Sequence, residues 1–356
     1  GRLPAQSSCG ANEKCEMKNN VRSCQPLRNG FCSISGDPHY NTFDNTTYDF
    51  QGTCTYIAAE SCHLSGTQLP TFSHLNSFFL LLQVNGILYR LPLNLNNGAV
   101  QVYQDGYNDV IITDFGLRVT YDLVYHVTIT VPGSYFGRTC GLCGNFNDDE
   151  ADEFQLPDGN LTKDFQTFGA AWTVPVPGAV CEDGCSGDQC PKCDVSKEAA
   201  IKAECSIISD TNGPFAACHG VIDPASYYQD CVYDVCMSTN EESMLCQSIV
   251  AYMSDCQSLG VNIGNWRNAS FCPFTCSAGS HYATCALPCT SSCPGLKDIV
   301  TCTTTCSEGC VCDEDYVYNG TGCVRTDQCS CYYQGQTYMV RRWYIIVFSG
   351  RLDLLE

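Results

Sequence analysis

Residues 109–131 read DVIITDFGLRVTYDLVYHVTITV, in which apolar and polar side chains alternate along successive runs. Leu117, Val119 and Tyr121 fall on one face of an extended chain, as do Val127, Ile129 and Val131. On the N-terminal side, ILYRLPL at 87–93 and VQVY at 100–103 keep the same period, with Asn85-Gly86 and Asn97-Gly98 as turn residues between runs. This texture extends from Phe50 to about Val131. It predicts a half-buried antiparallel sheet, most simply a β-sandwich.

Beyond WTVPVPG at 172–178 the period changes. VSKEAAIKAECSII, PASYYQDCVYDVCM and NEESMLCQSIVAYMSDC repeat apolar residues and cysteines at spacings of three and four, which predicts short helices pinned by disulfides. From Cys276 to Cys331 there is almost no periodicity. Cysteines, turns and prolines dominate, so bridges rather than a core must hold that stretch.

The chain has 356 residues and 30 cysteines, too long for one small knot and far too rich in cysteine for a cytosolic enzyme. Several cross-linked modules in an oxidising, extracellular setting follow. Sequons at Asn45, Asn160, Asn268 and Asn319 fit passage through the secretory route. Zinc is the rival use of thiolates, but it wants paired CxxC units closed by further Cys or His at set spacing. Eighteen basic against 38 acidic side chains give a net charge of −20, which argues against binding nucleic acid or anionic membrane. No apolar run approaches the ~20 residues of a membrane span. No signal peptide opens the chain, so GRLPAQSS is expected to be an internal cut in something larger.

Specific strings carry a resemblance. GDPHYNTFD, FQGTCTYIAAESC, DFGLRVTYD, CGLCGNFNDDEADEF and FGAAW together resemble a von Willebrand factor type D domain. GPFAACHGVIDPASYYQDCVYDVC through NWRNASFC resembles the eight-cysteine module that trails it. The cysteines from Cys276 to Cys329 are similar to a ten-cysteine trypsin-inhibitor-like module. The expected division is 1–31, the end of a preceding cysteine-rich module; 32–181, the type D β domain; 182–273, the helical eight-cysteine module; 274–330, the trypsin-inhibitor-like module; and 331–356, the start of a further one. Cysteine parity agrees, with six, ten and ten in the three central modules and odd remnants at the edges. Two departures stand out. FSHLNSFFLLLQ bridges a place where the family has roughly thirty more residues, so the sheet is expected to be incomplete there. The cysteine-free tail MVRRWYIIVFSGRLDLLE carries the apolar run Trp343–Phe348, a β-aggregation hazard that reads as a splice or gene-model boundary.

Asn145, Asn147, Asp149, Asp152 and Glu153 present oxygens at alternating and then adjacent positions, a pattern that can fold around one hard cation. The resemblance implies a calcium site there, formed by Asn145, Asn147, the Asp149 carbonyl, Asp152 and Glu153 and closed by Asp44; a solvated acidic loop is the alternative. CGLC at 140–143 has the spacing of thiol oxidoreductases, but Gly141 and Gly144 flank it at the end of a β run and no activating helix is evident. The resemblance implies structural bridges instead: Cys32–Cys143, Cys62–Cys140 and Cys54–Cys181. In the last module it implies Cys276–Cys310, Cys285–Cys306, Cys289–Cys302, Cys293–Cys329 and Cys312–Cys323.

GDPH at 36–39 poses a different question. Pro38 has no N–H to attack the Asp37 side chain, so that carboxyl can instead attack its own main-chain carbonyl and form a cyclic anhydride, provided the departing prolyl nitrogen is protonated. His39, expected to titrate near neutrality, is the candidate acid, and Gly36 gives the backbone freedom. By resemblance, GDPH-bearing members break between Asp37 and Pro38, once and without turnover; a plain turn into the first strand is the alternative. The expected function is that of a secreted, calcium-stabilised structural glycoprotein of mucus or extracellular matrix. Its expected partners are other modules of its own array, mucin-like or matrix glycoproteins, and immunoglobulin. Competing readings are an egg-coat or cell-adhesion protein and a serine protease inhibitor acting through Thr303–Thr305, though three threonines make a weak anchor.

Overall fold

The period-two runs become strands. The computed structural model describes residues 9–10, 12–18, 21–36, 38–62, 81–84, 87–106, 108–178, 180–181, 193–287, 291–301, 306–333, 336–338, 344–348 and 351–355. Its main sheet contains β1 (Gly30–Ser35), β2 (His39–Asn41), β3 (Thr47–Asp49), β4 (Leu93–Leu95), β5 (Val100–Asp105), β6 (Asn108–Thr113), β7 (Arg118–Tyr121) and β8 (Val127–Val131). All eight pair antiparallel in the order β4-β5-β6-β7-β8-β1-β2-β3. The first strand of the domain is thus inserted beside the last, with Ile129 opposite Cys32 and Val131 opposite Gly30. On its other edge, Ser35 faces His39, where β1 gives way to β2. Leu81–Val84 and Ile87–Arg90 pair in a separate ladder, and most of FSHLNSFFLLLQ lies outside the described residues.

One face of the sheet packs as the alternation predicts, with Leu117, Ile129 and Val131 joining Cys32, Phe43, Cys143 and Phe146 in one core. The other face is polar yet also buried. Ser33, Thr120 and Thr128 are each at most 5% exposed, and Thr120 and Thr128 hydrogen bond to each other. Here the structure departs from the half-buried expectation, because the helical module covers this face.

That module is built from α2 (Val195–Cys205), α3 (Pro224–Met237) and α4 (Glu241–Ser258), preceded in the β domain by α1 (Phe165–Ala171). Each begins at a polar cap: Asp164, Asp194, Asp223 and Asn240 accept a first-turn amide, and Pro224 occupies the first helical position of α3. Ile208, Phe215, Ile249, Tyr252 and Met253 form its core, crossed by Cys205–Cys231 and Cys218–Cys256. Tyr227 of α3 reaches the sheet, where its hydroxyl lies 3.4 Å from Ser33 Oγ and also donates to Asp255.

The third module contains a hairpin of β9 (Ser280–Ala286) and β10 (Ser307–Cys312) and a short helix, α5 (Leu296–Ile299). It is not a separate bead. Leu296, Val300 and Tyr318 share a core with Tyr103 and Val110 of the sheet, and Gln257 of α4 bonds to Thr284 and Glu308 on β9 and β10. In the tail, Tyr344–Phe348 pairs with Arg351–Leu355, so the apolar run is one strand of a hairpin.

Candidate functional site

Gly36 opens the β1–β2 turn at φ +63°, a left-handed conformation that a Cβ disfavours. A Cβ there would also lie 2.1 Å from Asp234 Oδ2 of α3, so the position demands glycine for two reasons. Asp37 lies outside the described residues. Pro38 follows, and its carbonyl accepts the Phe50 amide at 3.4 Å.

His39 is 7% exposed and held by carboxylates on both ring nitrogens. Nδ1 lies 2.8 Å from Asp49 Oδ1, directly across from it on β3, and 3.3 Å from Asp230 Oδ1. Nε2 lies 3.0 Å from Asp234 Oδ1. Asp230 and Asp234 stand four apart on α3 and therefore share one face of that helix. Burial pulls the imidazole pKa down, yet the bonds to Asp234 and Asp49 and the charge of Asp230 outweigh it and raise it to about 11. The near-neutral titration expected from sequence is corrected here, since three carboxylates keep the ring an imidazolium through the physiological range. Burial, with the charges of Asp49 and Asp234, lifts Asp230 to about 7 against the opposing pull of His39. Asp230 is thus the member of this cluster that titrates near neutrality.

A second buried pair sits nearby. His126, just before β8, lies 2.8 Å through Nε2 from Asp255 Oδ1 of α4; burial lowers its pKa, but the Asp255 charge and bond raise it overall. Between the two pairs is a cavity of about 20 Å³, enough for one water, whose walls include Gly36, His126, Asp230 and Asp234.

The acidic loop gathers most of its expected ligands. Asp44, at the end of the segment after β2, accepts the Asn147 amide at 2.8 Å and the Asp148 amide at 3.0 Å, and pairs with Arg28 at 3.3 Å. Asn145 and Asn147 both donate side-chain N–H groups to Asp152. The Asp149 carboxylate caps the turn Glu150–Asp152 through the Ala151 amide, and the Asp149 carbonyl, the atom expected at the site, accepts the Asp152 amide at 3.4 Å. Glu153 is 1% exposed, and neither of its carboxylate oxygens makes a hydrogen bond of ordinary geometry, although Thr42 and Asp44 lie beside it; Asn145 Oδ1 is likewise unpaired. Burial and the adjacent Asp44 charge push the Glu153 carboxyl up to about 8. Gly144 makes room for it, because a Cβ there would lie 1.5 Å from Glu153 Oε1. Orphaned, buried, all-oxygen donors of this kind fit a hard divalent cation.

Both cysteines of CGLC are bridged, Cys143 to Cys32 and Cys140 to Cys62, and Cys54 is bridged to Cys181. The third module contains Cys276–Cys310, Cys285–Cys306, Cys293–Cys329 and Cys312–Cys323, while Cys289, Cys302 and the Thr303–Thr305 loop lie outside the described residues. Among the described residues, Cys15 and Cys331 are free and exposed. Asn45, Asn160 and Asn268 are exposed, whereas Asn319 is half-buried with its Oδ1 accepting from Thr321 and Gly322. No described helix is long and apolar enough to cross a membrane. Sequence reasoning missed Asp49, Asp230, Asp234, His126 and Asp255. The one available signal was the pair of aspartates at helical spacing in YYQDCVYDVC.

Residues 32–78 and 75–160 match the von Willebrand factor type D domain, in two pieces that meet within the shortened segment. Residues 204–273 match the C8 domain and 276–329 the trypsin inhibitor like cysteine rich domain. The chain is similar to the IgGFc-binding protein of Homo sapiens, 38% identical over 368 residues that cover 93% of this chain and 7% of that protein. It is 35% identical to alpha-tectorin of Homo sapiens over 372 residues, 95% of this chain and 17% of that protein. With zonadhesin of Sus scrofa it shares 34% identity over 379 residues, 97% of this chain and 15% of that protein. The chain therefore spans less than a fifth of the length of these relatives.

Proposed function

Because the chain belongs to the family of von Willebrand factor type D assemblies, with type D, C8 and trypsin-inhibitor-like domains in series, we propose that it is a secreted structural module that cuts its own Asp37–Pro38 bond and stays in one piece. The observation that carries this reading is the Cys32–Cys143 bridge, which joins the two sides of that bond. Disulfides of this density belong to an oxidising compartment, and bridged CGLC cysteines favour a scaffold over a thiol enzyme. Its partners are other modules of its own array and matrix or mucin-like glycoproteins; the name of the IgGFc-binding protein adds immunoglobulin Fc as a partner to test. Asn45, Asn160 and Asn268 are the exposed glycan acceptors.

In the reaction, an Asp37 side-chain oxygen bonds to the Asp37 main-chain carbonyl carbon and the bond to the Pro38 nitrogen breaks. That nitrogen takes the proton of the Asp230 carboxyl, relayed through the His39 ring so that the imidazolium is regenerated and Asp230 is left a carboxylate, and water then opens the anhydride to two carboxyl groups. His39 begins and ends charged, so Asp230 sets the pH dependence. Its protonated form predominates below about 7. Cleavage of freshly purified chain, followed by the appearance of a new N-terminus at Pro38, is expected to be fastest below that pH and to slow about tenfold per unit above it. A rate that rises with pH would refute the assignment.

Calcium is the proposed cation of the acidic loop, held by Asp44, Asn145, Asn147, Asp152 and Glu153 with the Asp149 carbonyl. When bound, it supplies positive charge between carboxylates that otherwise repel. Chelation is expected to lower the melting temperature, by the equivalent of about 3 kcal/mol if calcium was present at a hundred times its dissociation constant. In a Glu153→Gln variant the chelator should have far less effect. Equal sensitivity in both proteins would remove Glu153 from the site.

A further inference from the structure

We propose that Asp234 of the C8 domain is a positioning residue for cleavage of the type D domain, so that competence to cut belongs to the docked pair and not to the type D domain alone. This rests on the self-cleavage reading above. The geometry is specific to one carboxylate. Asp234 is 3% exposed; its Oδ1 takes His39 Nε2 at 3.0 Å, and its Oδ2 lies 2.1 Å from the position a Cβ of Gly36 would occupy. One side chain from another domain therefore packs against the residue before Asp37 and bonds to the residue after Pro38. The span between those two residues contains the whole scissile unit.

What surrounds His39 reinforces this. Asp49 comes from β3, and Asp230 and Asp234 come from α3, with the Tyr233 ring edge-on at 6.2 Å. The type D domain alone offers the ring only Asp49 among these groups. Without α3 the imidazole loses its Nε2 partner, and Gly36 loses the wall that fixes its side of the turn. Holding a nucleophile and its target in attack geometry is where an intramolecular reaction gains most of its rate, and misplacement by about 1 Å costs on the order of 100-fold. Asp234 also contributes negative charge that raises the pKa of both Asp230 and His39.

The test compares the full chain with Asp234→Asn and with a control, Tyr227→Phe. Tyr227→Phe removes the hydroxyl bonded to Asp255 and near Ser33 at the same interface without touching His39. Cleaved fraction is followed over time across pH by reducing electrophoresis, with melting temperatures measured in parallel. Asp234→Asn is expected to slow cleavage on the order of 100-fold and to move the fall-off in rate to lower pH; Tyr227→Phe should leave both unchanged. If Asp234→Asn is not secreted, Asp234→Glu, which keeps the charge but displaces the carboxylate by one methylene, takes its place and is expected to slow cleavage while keeping the fall-off near the parental pH. Cleavage by the aspartate variants at the parental rate and pH profile overturns the inference and leaves self-cleavage standing. Equal slowing by Tyr227→Phe, with no shift in profile, would make the interface merely structural. A parental chain that never breaks removes the underlying reading instead.

Discussion

Replacing Arg267 by alanine is expected to destabilise the chain by about 3–5 kcal/mol, because it leaves a buried carboxylate without its counter-charge. Arg267 lies within the C8 domain, next to its core residue Trp266, and Glu308 is on β10 of the third domain. Their pairing is bidentate, at 2.6 and 2.9 Å, with side chains only 7% and 3% exposed. Arg267 also donates to the Cys272 carbonyl at 2.9 Å and stacks on Trp266, and Glu308 accepts from the Tyr282 hydroxyl. The cost is one of orphaning, not of the pair's net worth. A double replacement, Arg267→Met with Glu308→Met, is therefore expected to lose less than either single change. Denaturant unfolding of the four proteins of that cycle measures the coupling. Additive losses would mean that the two residues do not act together.

The second large effect concerns Cys32 and Cys143, both fully buried, whose bridge closes a sequence separation of 111 residues. Opening a loop of that length frees unfolded-state entropy equivalent to about 5 kcal/mol in the chain-entropy picture. Against typical domain stabilities of about 5–15 kcal/mol, that is a large fraction. A paired Cys32→Ala, Cys143→Ala variant should melt well below the parent. It should also behave differently once cut. Cys9 pairs with Cys24 on the same side of the Asp37–Pro38 bond, so among the described bridges Cys32–Cys143 alone crosses it. Without that bridge, the piece ending at Asp37 is held by the pairing of β1 with β8 and β2, and denaturant without reductant should release it. Retention of that piece would show a further covalent link.

Much of this architecture is written in local periodicity. Helix α3 occupies the whole of PASYYQDCVYDVCM, because a Pro after an Asp cap starts it and Tyr227, Cys231 and Val235, each four apart, line its inner face. Strands β6 to β8 follow the alternation of 109–131, and the acidic loop is visible as a string of oxygen donors. What was not legible is pairing across long separations. Nothing in GFCSIS says that β1 enters between β8 and β2, since edge and central strands share the same alternation. The Ser and Thr face of the sheet reads as solvent-facing, whereas it meets Tyr227 and the helices of the next domain. His39 offered the clearest lesson. Two of the three carboxylates that hold its charge, Asp230 and Asp234, come from α3, and Asp234 is 195 positions away, so a chemistry inferred from four adjacent letters depends on a helix in another domain.

The most direct test of a scaffold that cuts its own backbone without coming apart is intact mass of one deglycosylated sample, under denaturing conditions, before and after reduction. The expected result is a single species one water heavier than the unbroken chain before reduction. After reduction it should resolve into a fragment ending at Asp37 and another beginning at Pro38. An unbroken chain in both states would contradict the cleavage, and two fragments without reduction would contradict the bridge that is said to hold them.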